Sequence, residues 1–179
     1  REYDSKKSDV VISLDPGMAF GTGHHPTTRM CLEQLEELIE PGMSVLDFGC
    51  GSGILSIAAS KLGAKSVIGI EIDSVATKAI HQNSKLNGTD YNVRVMQGSL
   101  PHPDIRSGHF DIAVANISAK VISETATNLI HAVKTEGKVI VSGILLTNQA
   151  DVEKAMTLAG GHLIQSNIDG DWVTLVFST

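Results

Sequence analysis

Aromatic residues are scarce in this chain of 179 residues, which holds one tryptophan, two tyrosines and four phenylalanines. Valine, isoleucine, leucine and alanine carry the hydrophobic fraction of 42% instead. Such a composition is typical of helices packed on a buried parallel sheet. Charged residues make up 19% of the chain and the net charge is −6, which excludes an intrinsically disordered protein. The length predicts about one domain.

Basic clusters and long apolar runs are also absent from the sequence. Acidic residues outnumber basic ones by 20 to 14, whereas a nucleic-acid-binding domain carries a basic stripe, so no direct binding of nucleic acid is expected. The longest apolar stretch, Val139 to Leu146, is interrupted by Ser142 and Gly143 and is far shorter than the ~20 residues of a membrane span. The chain does not open on the pattern of a secretory signal. Membrane binding is therefore not expected.

Cysteine is nearly absent too. Cys31 and Cys50 are too few to form a disulfide framework. Both are expected to be small buried hydrophobic residues, and a count this low favours a cytoplasmic protein.

Strands and helices alternate along most of the sequence. Strands are predicted at residues 44–48, 66–70, 92–96, 110–115, 137–142, 162–168 and 172–177. Helices are predicted at about 27–39 (capped by Thr27 or Thr28), 53–62, 74–86 and 147–159, and from the fourth strand to about residue 133. This order predicts an α/β fold with a doubly wound, mostly parallel sheet of seven strands and helices on both faces. The last two strands flank the turn at 169–171, and their hairpin would add an antiparallel strand at one edge.

A glycine-rich turn follows the first of these strands. Residues 45–53 have the sequence VLDFGCGSG, in which a buried strand leads into glycines spaced as G-x-G-x-G and then into a helix. Glycine lets the backbone approach a ligand closely, and a helix N-terminus adds amides and a positive dipole. Glu71 ends the next strand, about 20 residues on, where a carboxylate can accept both hydroxyl groups of a ribose. The two features together predict a ligand that contains adenosine.

The loop spacing and Asp47 indicate which adenosine compound binds. Dinucleotide sites use G-x-G-x-x-G around a pyrophosphate, whereas this loop is shorter and Asp47 lies two residues before its first glycine. An acid at that position suits a cation, such as the amino group and sulfonium of S-adenosylmethionine. Three alternatives stay open: a nicotinamide-dependent oxidoreductase, a non-catalytic binding module of the same fold, and a tight turn in an unrelated fold.

Several motifs resemble those of one family. Residues 47–53 resemble motif I of the class I S-adenosylmethionine-dependent methyltransferases, and LDPGMAFGTGHHPTT at 14–28 resembles the signature of the ribosomal protein L11 methyltransferase family, the PrmA type. NISA at 116–119 and SGIL at 142–145 follow in the order found in that family. The resemblance runs from about Asp9 to Trp172, and it implies the Rossmann-like methyltransferase fold.

The loop and the resemblance together imply a set of site residues for S-adenosylmethionine, which becomes S-adenosylhomocysteine. The predicted cofactor-binding residues are Phe20, Gly21, Thr28, Asp47, Gly49, Gly51, Glu71, Ile72 and Asn116. Phe20 and Gly21 would help to cap the cofactor, Glu71 would bind its ribose, and Ile72 would pack on its adenine. Asn116 would lie beside the methionyl group and, as the catalytic residue, orient the acceptor amine through its carbonyl oxygen. No metal site is predicted.

The resemblance also implies the reaction and the partner. Amino groups of a large-subunit ribosomal protein, on lysine side chains, at the N-terminus or both, would receive the methyl group by direct in-line displacement. The leaving group departs uncharged, so the protein contributes mainly proximity and orientation. A lysine ε-amine must first lose its proton, and a pocket of low dielectric disfavours the ammonium. A related methyltransferase acting on another protein or a small molecule stays an alternative.

Two expectations concern how this chain differs from the family. The family's N-terminal substrate-recognition domain is expected to be absent, so that residues 1–9 form a linker end or mobile N-terminus and residues 10–179 the catalytic domain. Glu71 replaces the usual aspartate, and Ser118 replaces a bulky apolar residue. Ser99 supplies no acid for the adenine amine. These changes preserve the ribose contact and affect only the detail of the pocket.

His25 matches a histidine of the family. It is interpreted as a structural residue that bonds the glycine-rich segment.

Overall fold

One sheet organises the computed structural model, which describes residues 9–15 and 23–179. In chain order the elements are α1 (Pro26–Leu38), β1 (Ser44–Phe48), α2 (Ile54–Lys61), β2 (Ser66–Glu71), α3 (Ser74–Leu86), β3 (Val93–Gln97), β4 (Phe110–Asn116), α4 (Ala119–Ala132), β5 (Val133–Leu145), α5 (Gln149–Leu158), β6 (His162–Asp169) and β7 (Trp172–Ser178). A short 3-10 helix, Leu146–Asn148, precedes α5. These bounds confirm the predicted alternation.

The strand order is β3-β2-β1-β4-β5-β7-β6. Strands β1 to β5 pair in parallel, and β7 pairs antiparallel with both β5 and β6. The predicted doubly wound fold and C-terminal hairpin are confirmed. The expected place of the antiparallel strand at an edge is wrong, because β7 lies inside the sheet and β6 forms the edge. The five central residues of β7 are buried, whereas five of the eight residues of β6 are exposed, so β7 takes the position with two neighbouring strands.

Helices cover both faces of the sheet. Helices α4 and α5 pack on one face, where Leu129 and Met156 join the apolar core around Leu46. Helices α1, α2 and α3 pack on the other, where Leu35 and Ile80 belong to a second apolar cluster. Successive strand residues point to opposite faces, so a strand buried on both sides is apolar almost throughout.

Most boundaries of the elements differ from the predictions by one or two residues, and β5 differs by more. Strand β5 covers Val133–Leu145 rather than 137–142, because β4 pairs with its first residues and β7 with its last. The helix expected from residue 147 begins as the 3-10 turn and becomes α-helical at Gln149. The third strand begins at Val93 rather than at residue 92. None of the helices within the described ranges is long and apolar enough to cross a membrane.

Candidate active site

A cleft opens where β1 and β4 lie side by side, the point at which the strand order reverses. Its volume is about 340 Å³, within the roughly 300–1,000 Å³ of small-molecule sites. The residues that line it are Thr27, Thr28, Asp47, Gly49, Cys50, Gly51, Ser52, Ile54, Leu55, Glu71 and Asn116. The structure thus brings six of the nine predicted cofactor-binding residues to one cleft. Their contact with a cofactor stays a prediction.

The structure leaves the other three predicted cofactor contacts untested. Phe20 and Gly21 are outside the described residues. Ile72 follows Glu71 at the end of β2 and is 74% exposed, so the proposed packing on adenine is neither supported nor contradicted by the cleft. Sequence reasoning missed Ser52, Ile54 and Leu55, which line the cleft because the first turn of α2 follows the glycine loop directly.

The glycine loop fits between two other parts of the chain. Gly49 and Gly53 have φ angles of 76° and 83°, a left-handed conformation that favours glycine. A Cβ on Gly49 would lie 2.3 Å from Cγ2 of Ile117, and one on Gly53 would lie 2.3 Å from Cγ1 of Ile80. Side chains are therefore excluded here by neighbouring residues as well as by backbone conformation.

Glu71 holds this loop from the end of β2. The backbone N–H of Gly51 donates to Glu71 Oε2 at 2.9 Å, and the N–H of Asp73 donates to Oε1 at 3.0 Å. Each carboxylate oxygen has a second lone pair, so both can still accept a hydroxyl group. The N–H of Gly51 is already bonded to Glu71, and no described lining residue is basic. The cleft is therefore poorly suited to a pyrophosphate.

Asp47 is a buried carboxylate on the wall of the cleft, 1% exposed. Ser56, on the first turns of α2, donates its hydroxyl proton to Asp47 Oδ2 at 2.6 Å, while Oδ1 has no hydrogen-bond partner. Burial raises the pKa of Asp47 to about 6, with the hydrogen bonds from Ser56 opposing the rise and the charge of Glu71 adding to it. A buried carboxylate with one unsatisfied oxygen is costly unless a cation or donor reaches it.

Asn116 ends β4 and meets α1 across the cleft. Its Nδ2 donates to the hydroxyl of Thr28 at 3.3 Å, which turns the carbonyl oxygen of the amide away from Thr28. The expectation that Thr27 or Thr28 caps α1 is wrong, because Pro26 takes the first helical position and His25 becomes the N-cap. Thr28 therefore lies inside the helix, with its hydroxyl available to Asn116.

His25 has a structural role in this arrangement. Its Nδ1 accepts from the backbone N–H of Thr27 at 3.4 Å and lies 2.8 Å from the Thr27 hydroxyl. Its ring meets Trp172 edge to face, with 4.8 Å between centroids. The contact fixes the start of α1 against the hairpin. Trp172 carried no sequence signal beyond its place at the start of a predicted strand.

The two cysteines are buried, as expected. Burial raises the pKa of Cys31 to about 12 and also raises that of Cys50 above its usual value, so both thiols stay protonated at neutral pH. Cys50 lines the cleft as a small neutral group. Within residues 9–15 and 23–179 no group of three or more histidine, cysteine, aspartate or glutamate side chains could hold a metal ion.

Gly143 supports the turn after β4. Its φ is 81°, and an added Cβ would lie 2.3 Å from the backbone oxygen of Ile117. Gly143→Ala is expected to lower the free energy of unfolding by about 3 kcal/mol or more, since backbone must move. Gly42→Ala is the matched control, because Gly42 also has a positive φ but nothing within 4 Å of the added atom, and it should cost about 1 kcal/mol. Urea unfolding measures both, and equal losses would contradict the steric argument.

Comparisons with known proteins identify relatives of the whole chain. The family model described as ribosomal protein L11 methyltransferase (PrmA) matches residues 1–179. Curated ribosomal protein L11 methyltransferases are 42% identical over 197 residues in Chloroflexus aurantiacus and over 174 residues in Listeria monocytogenes. These matches cover 98% and 97% of this chain, but 60% and 55% of those proteins, so the chain spans little more than half the length of either relative.

A solved structure agrees with the sequence relatives. The crystal structure of a ribosomal protein L11 methylase from Lactobacillus delbrueckii subsp. bulgaricus superposes with a TM-score of 0.89 at 34% identity, covering 98% of this chain and 90% of that one. The fold is therefore that of the class I methyltransferases. Because the family model matches all of residues 1–179, this chain belongs to the ribosomal protein L11 methyltransferase family.

Proposed function

We propose that this chain is an S-adenosylmethionine-dependent N-methyltransferase that modifies amino groups of ribosomal protein L11. The observation that carries the proposal is the unpartnered oxygen of buried Asp47 beside the glycine loop, in a cleft whose described lining holds no basic residue. Family membership supports ribosomal protein L11 as the methyl acceptor, because the curated relatives are named for that substrate. Residues 10–179 would form the methyltransferase domain, working in the cytoplasm without membrane or nucleic-acid contacts.

The described residues fit the cofactor. Asp47 Oδ1 would accept from the cationic amino group, which relieves the cost of an unsatisfied buried carboxylate. Gly49 and Gly51 would let the backbone approach the methionyl part, and Glu71 would accept the ribose hydroxyls with its remaining lone pairs. When bound, S-adenosylmethionine supplies an electrophilic methyl group on a sulfonium.

Asn116 and Thr28 would orient the acceptor. Because Asn116 Nδ2 donates to Thr28, the carbonyl oxygen is left to accept a hydrogen bond from the N–H of the incoming amine. An amine held by that bond points its lone pair along one direction, and such orientation is the main source of rate in a direct displacement. The buried surroundings also favour the neutral amine over the ammonium.

The proposal is tested by transfer of labelled methyl groups from S-adenosylmethionine to purified ribosomal protein L11. Asn116→Ala is expected to lower kcat by about a hundredfold, the cost of misplacing a reactant, and to lower the affinity for S-adenosylhomocysteine by a smaller factor. Asn128→Ala is the control, because Asn128 lies on α4 away from the cleft and should retain wild-type activity.

Three results would contradict parts of this proposal. Label entering another protein or a small molecule, with none in ribosomal protein L11, would replace the acceptor and keep the chemistry. Binding of NAD without binding of S-adenosylhomocysteine would replace the enzyme class. Unchanged kcat in Asn116→Ala would remove Asn116 from its catalytic role.

A further inference from the structure

Asn83, on the buried face of α3, joins two segments of the chain that are far apart in sequence. It is 2% exposed, and both ends of its amide are used. Its Nδ2 donates to the backbone oxygen of Ser52 at 2.8 Å, and its Oδ1 accepts from the backbone N–H of Asp15 at 3.0 Å. The amide cannot be flipped without placing donor against donor and acceptor against acceptor.

The bond to Ser52 reaches the centre of the cofactor loop. Ser52 lies between Gly51 and Gly53, which have φ angles of 51° and 83°, and it lines the cleft. Ile80 lies three residues before Asn83 on the same face of α3 and fills the space beside Gly53. One face of α3 thus supports the loop twice, with an apolar contact and with a hydrogen bond.

The bond to Asp15 belongs to a series that holds residues 9–15 on the surface of α2 and α3. Asn87, one turn beyond Asn83, accepts from the N–H of Ser13 at 2.9 Å and donates to its carbonyl oxygen at 2.7 Å. Lys61 donates to the carbonyl oxygen of Val11 at 2.7 Å. Of these three side chains, Asn83 is the one whose bonds extend from this segment to the glycine loop.

We propose that Asn83 is a positioning residue for cofactor binding, which sets the loop at Ser52 through its Nδ2 while the bond from Asp15 to its Oδ1 fixes the orientation of the amide. The inference rests on the proposed function, because the ligand of the loop is taken to be S-adenosylmethionine. Loss of the Asn83 bonds leaves the cleft residues chemically intact but frees the Ser52 carbonyl from its partner. A loop built on left-handed glycines has many other conformations available, and ordering it on binding then costs affinity.

Four variants test the proposal with S-adenosylhomocysteine as the calorimetric probe. Asn83→Ala removes both bonds, whereas Asn83→Asp, measured at a pH at which the carboxylate is ionised, keeps an acceptor for Asp15 and loses the donor to Ser52. Both are expected to weaken binding about tenfold and to raise KM for S-adenosylmethionine, with kcat at saturation changed less than about threefold. Asn87→Ala and Asn92→Ala are controls expected to bind within about threefold of wild type.

The controls separate positioning from general destabilisation. Asn87 bonds the same segment as Asn83 through Ser13, and its third side-chain hydrogen bond goes to the backbone oxygen of Asn83 on its own helix. Asn92 accepts from Ser60 at 2.7 Å and donates to Ala64 at 2.9 Å, so it also joins two segments but lies outside the cleft lining. Urea unfolding measures how much stability each variant loses. Amide hydrogen exchange in Asn83→Asp reports how well the loop is ordered, independently of any loss of global stability.

The outcomes are distinct. Weaker binding in both Asn83 variants, faster loop exchange and near-normal controls support the proposal. Wild-type affinity in Asn83→Asp, or the same loss in Asn92→Ala at equal stability, overturns it and leaves the proposed function standing. A wild-type chain that does not bind S-adenosylhomocysteine overturns the proposed function and this inference with it.

Discussion

The Asp47→Asn variant is expected to be more stable than the wild-type chain at pH 7 and yet to bind S-adenosylmethionine much more weakly. Burial raises the pKa of Asp47 from 3.8 to about 6. The folded state therefore holds a proton between those values that the unfolded state has released, so the free energy of unfolding falls as pH rises through this window. By pH 7 the loss reaches up to about 3 kcal/mol, and asparagine, which is never charged, does not incur it.

The ligand reverses this balance. A cationic amino group beside Oδ1 would stabilise the carboxylate, and removing one partner of such a buried pair costs about 2–5 kcal/mol. We expect the affinity of Asp47→Asn to fall at least about thirtyfold. In the wild type the affinity should also fall as pH drops below about 6, because the proton on Asp47 must leave before the cation binds.

Urea unfolding at several pH values and calorimetry with S-adenosylhomocysteine measure both effects. Asp111→Asn is a control for which the opposite change in the free energy of unfolding is expected. Although partial burial acts to raise it, the pKa of Asp111 lies below its usual value because Lys134 and Ser44 donate hydrogen bonds to the carboxylate. This variant should lose stability at pH 7, and the loss should shrink as pH falls through the pKa of Asp111.

Two outcomes would contradict the role of Asp47. A stability gain in Asp47→Asn that is the same at pH 4.5 and pH 7 would show that its ionisation is not the cause. Cofactor affinity equal to that of wild type would remove Asp47 from the binding site.

The Gly49→Arg variant is expected to bind no measurable S-adenosylhomocysteine, at least about a thousandfold below wild type. The first atom of any side chain at this position would lie 2.3 Å from Cγ2 of Ile117, so the loop and the turn after Asn116 cannot both stay in place. The φ of 76° adds strain for any residue other than glycine. The sequence predicted a close approach to the ligand, and the structure adds that Ile117 occupies the space where Cβ would be.

A smaller substitution separates the two causes. Gly49→Ala should lower both stability and affinity, and Ile117→Ala should recover part of the loss when combined with it, since it removes the clashing methyl group. The double variant should therefore lose less than the sum of the single variants, as measured by urea unfolding and calorimetry. Strict additivity would show that backbone strain at Gly49 is the whole effect and that Ile117 does not contribute.

Much of the fold could be predicted from local patterns. Strand β1 and helix α3 were predicted at the residues where they occur, because β1 is a short apolar run before glycines and α3 begins at the cap Asp73 and stops before Gly88. The cap of α1 was misassigned, since two threonines are good caps in isolation but Pro26 moves the helix start upstream. Strand β5 was underestimated because its outer residues gain their strand conformation from β4 and β7.

Part of the candidate site could also be predicted. Asp47, Gly49, Gly51 and Glu71 were found because strand, loop and following strand are adjacent in sequence. The partners that give these residues their properties were not found. Ser56 bonds Asp47 and Ile117 blocks a Cβ at Gly49, and neither contact leaves a motif in the chain.

The sequence by itself determined the alternation of strands and helices, the glycines that must take left-handed conformations, and the acids at the ends of β1 and β2. These depend on side-chain period and on the backbone freedom of single residues, which are local properties. The tertiary structure alone decided that β7 enters the sheet between β5 and β6, that Asn116 meets Thr28 across 88 residues, and that Asn83 bonds Asp15 across 68 residues. Contacts of this kind depend on which buried faces pack together when the whole chain folds, and no periodicity within one segment encodes them.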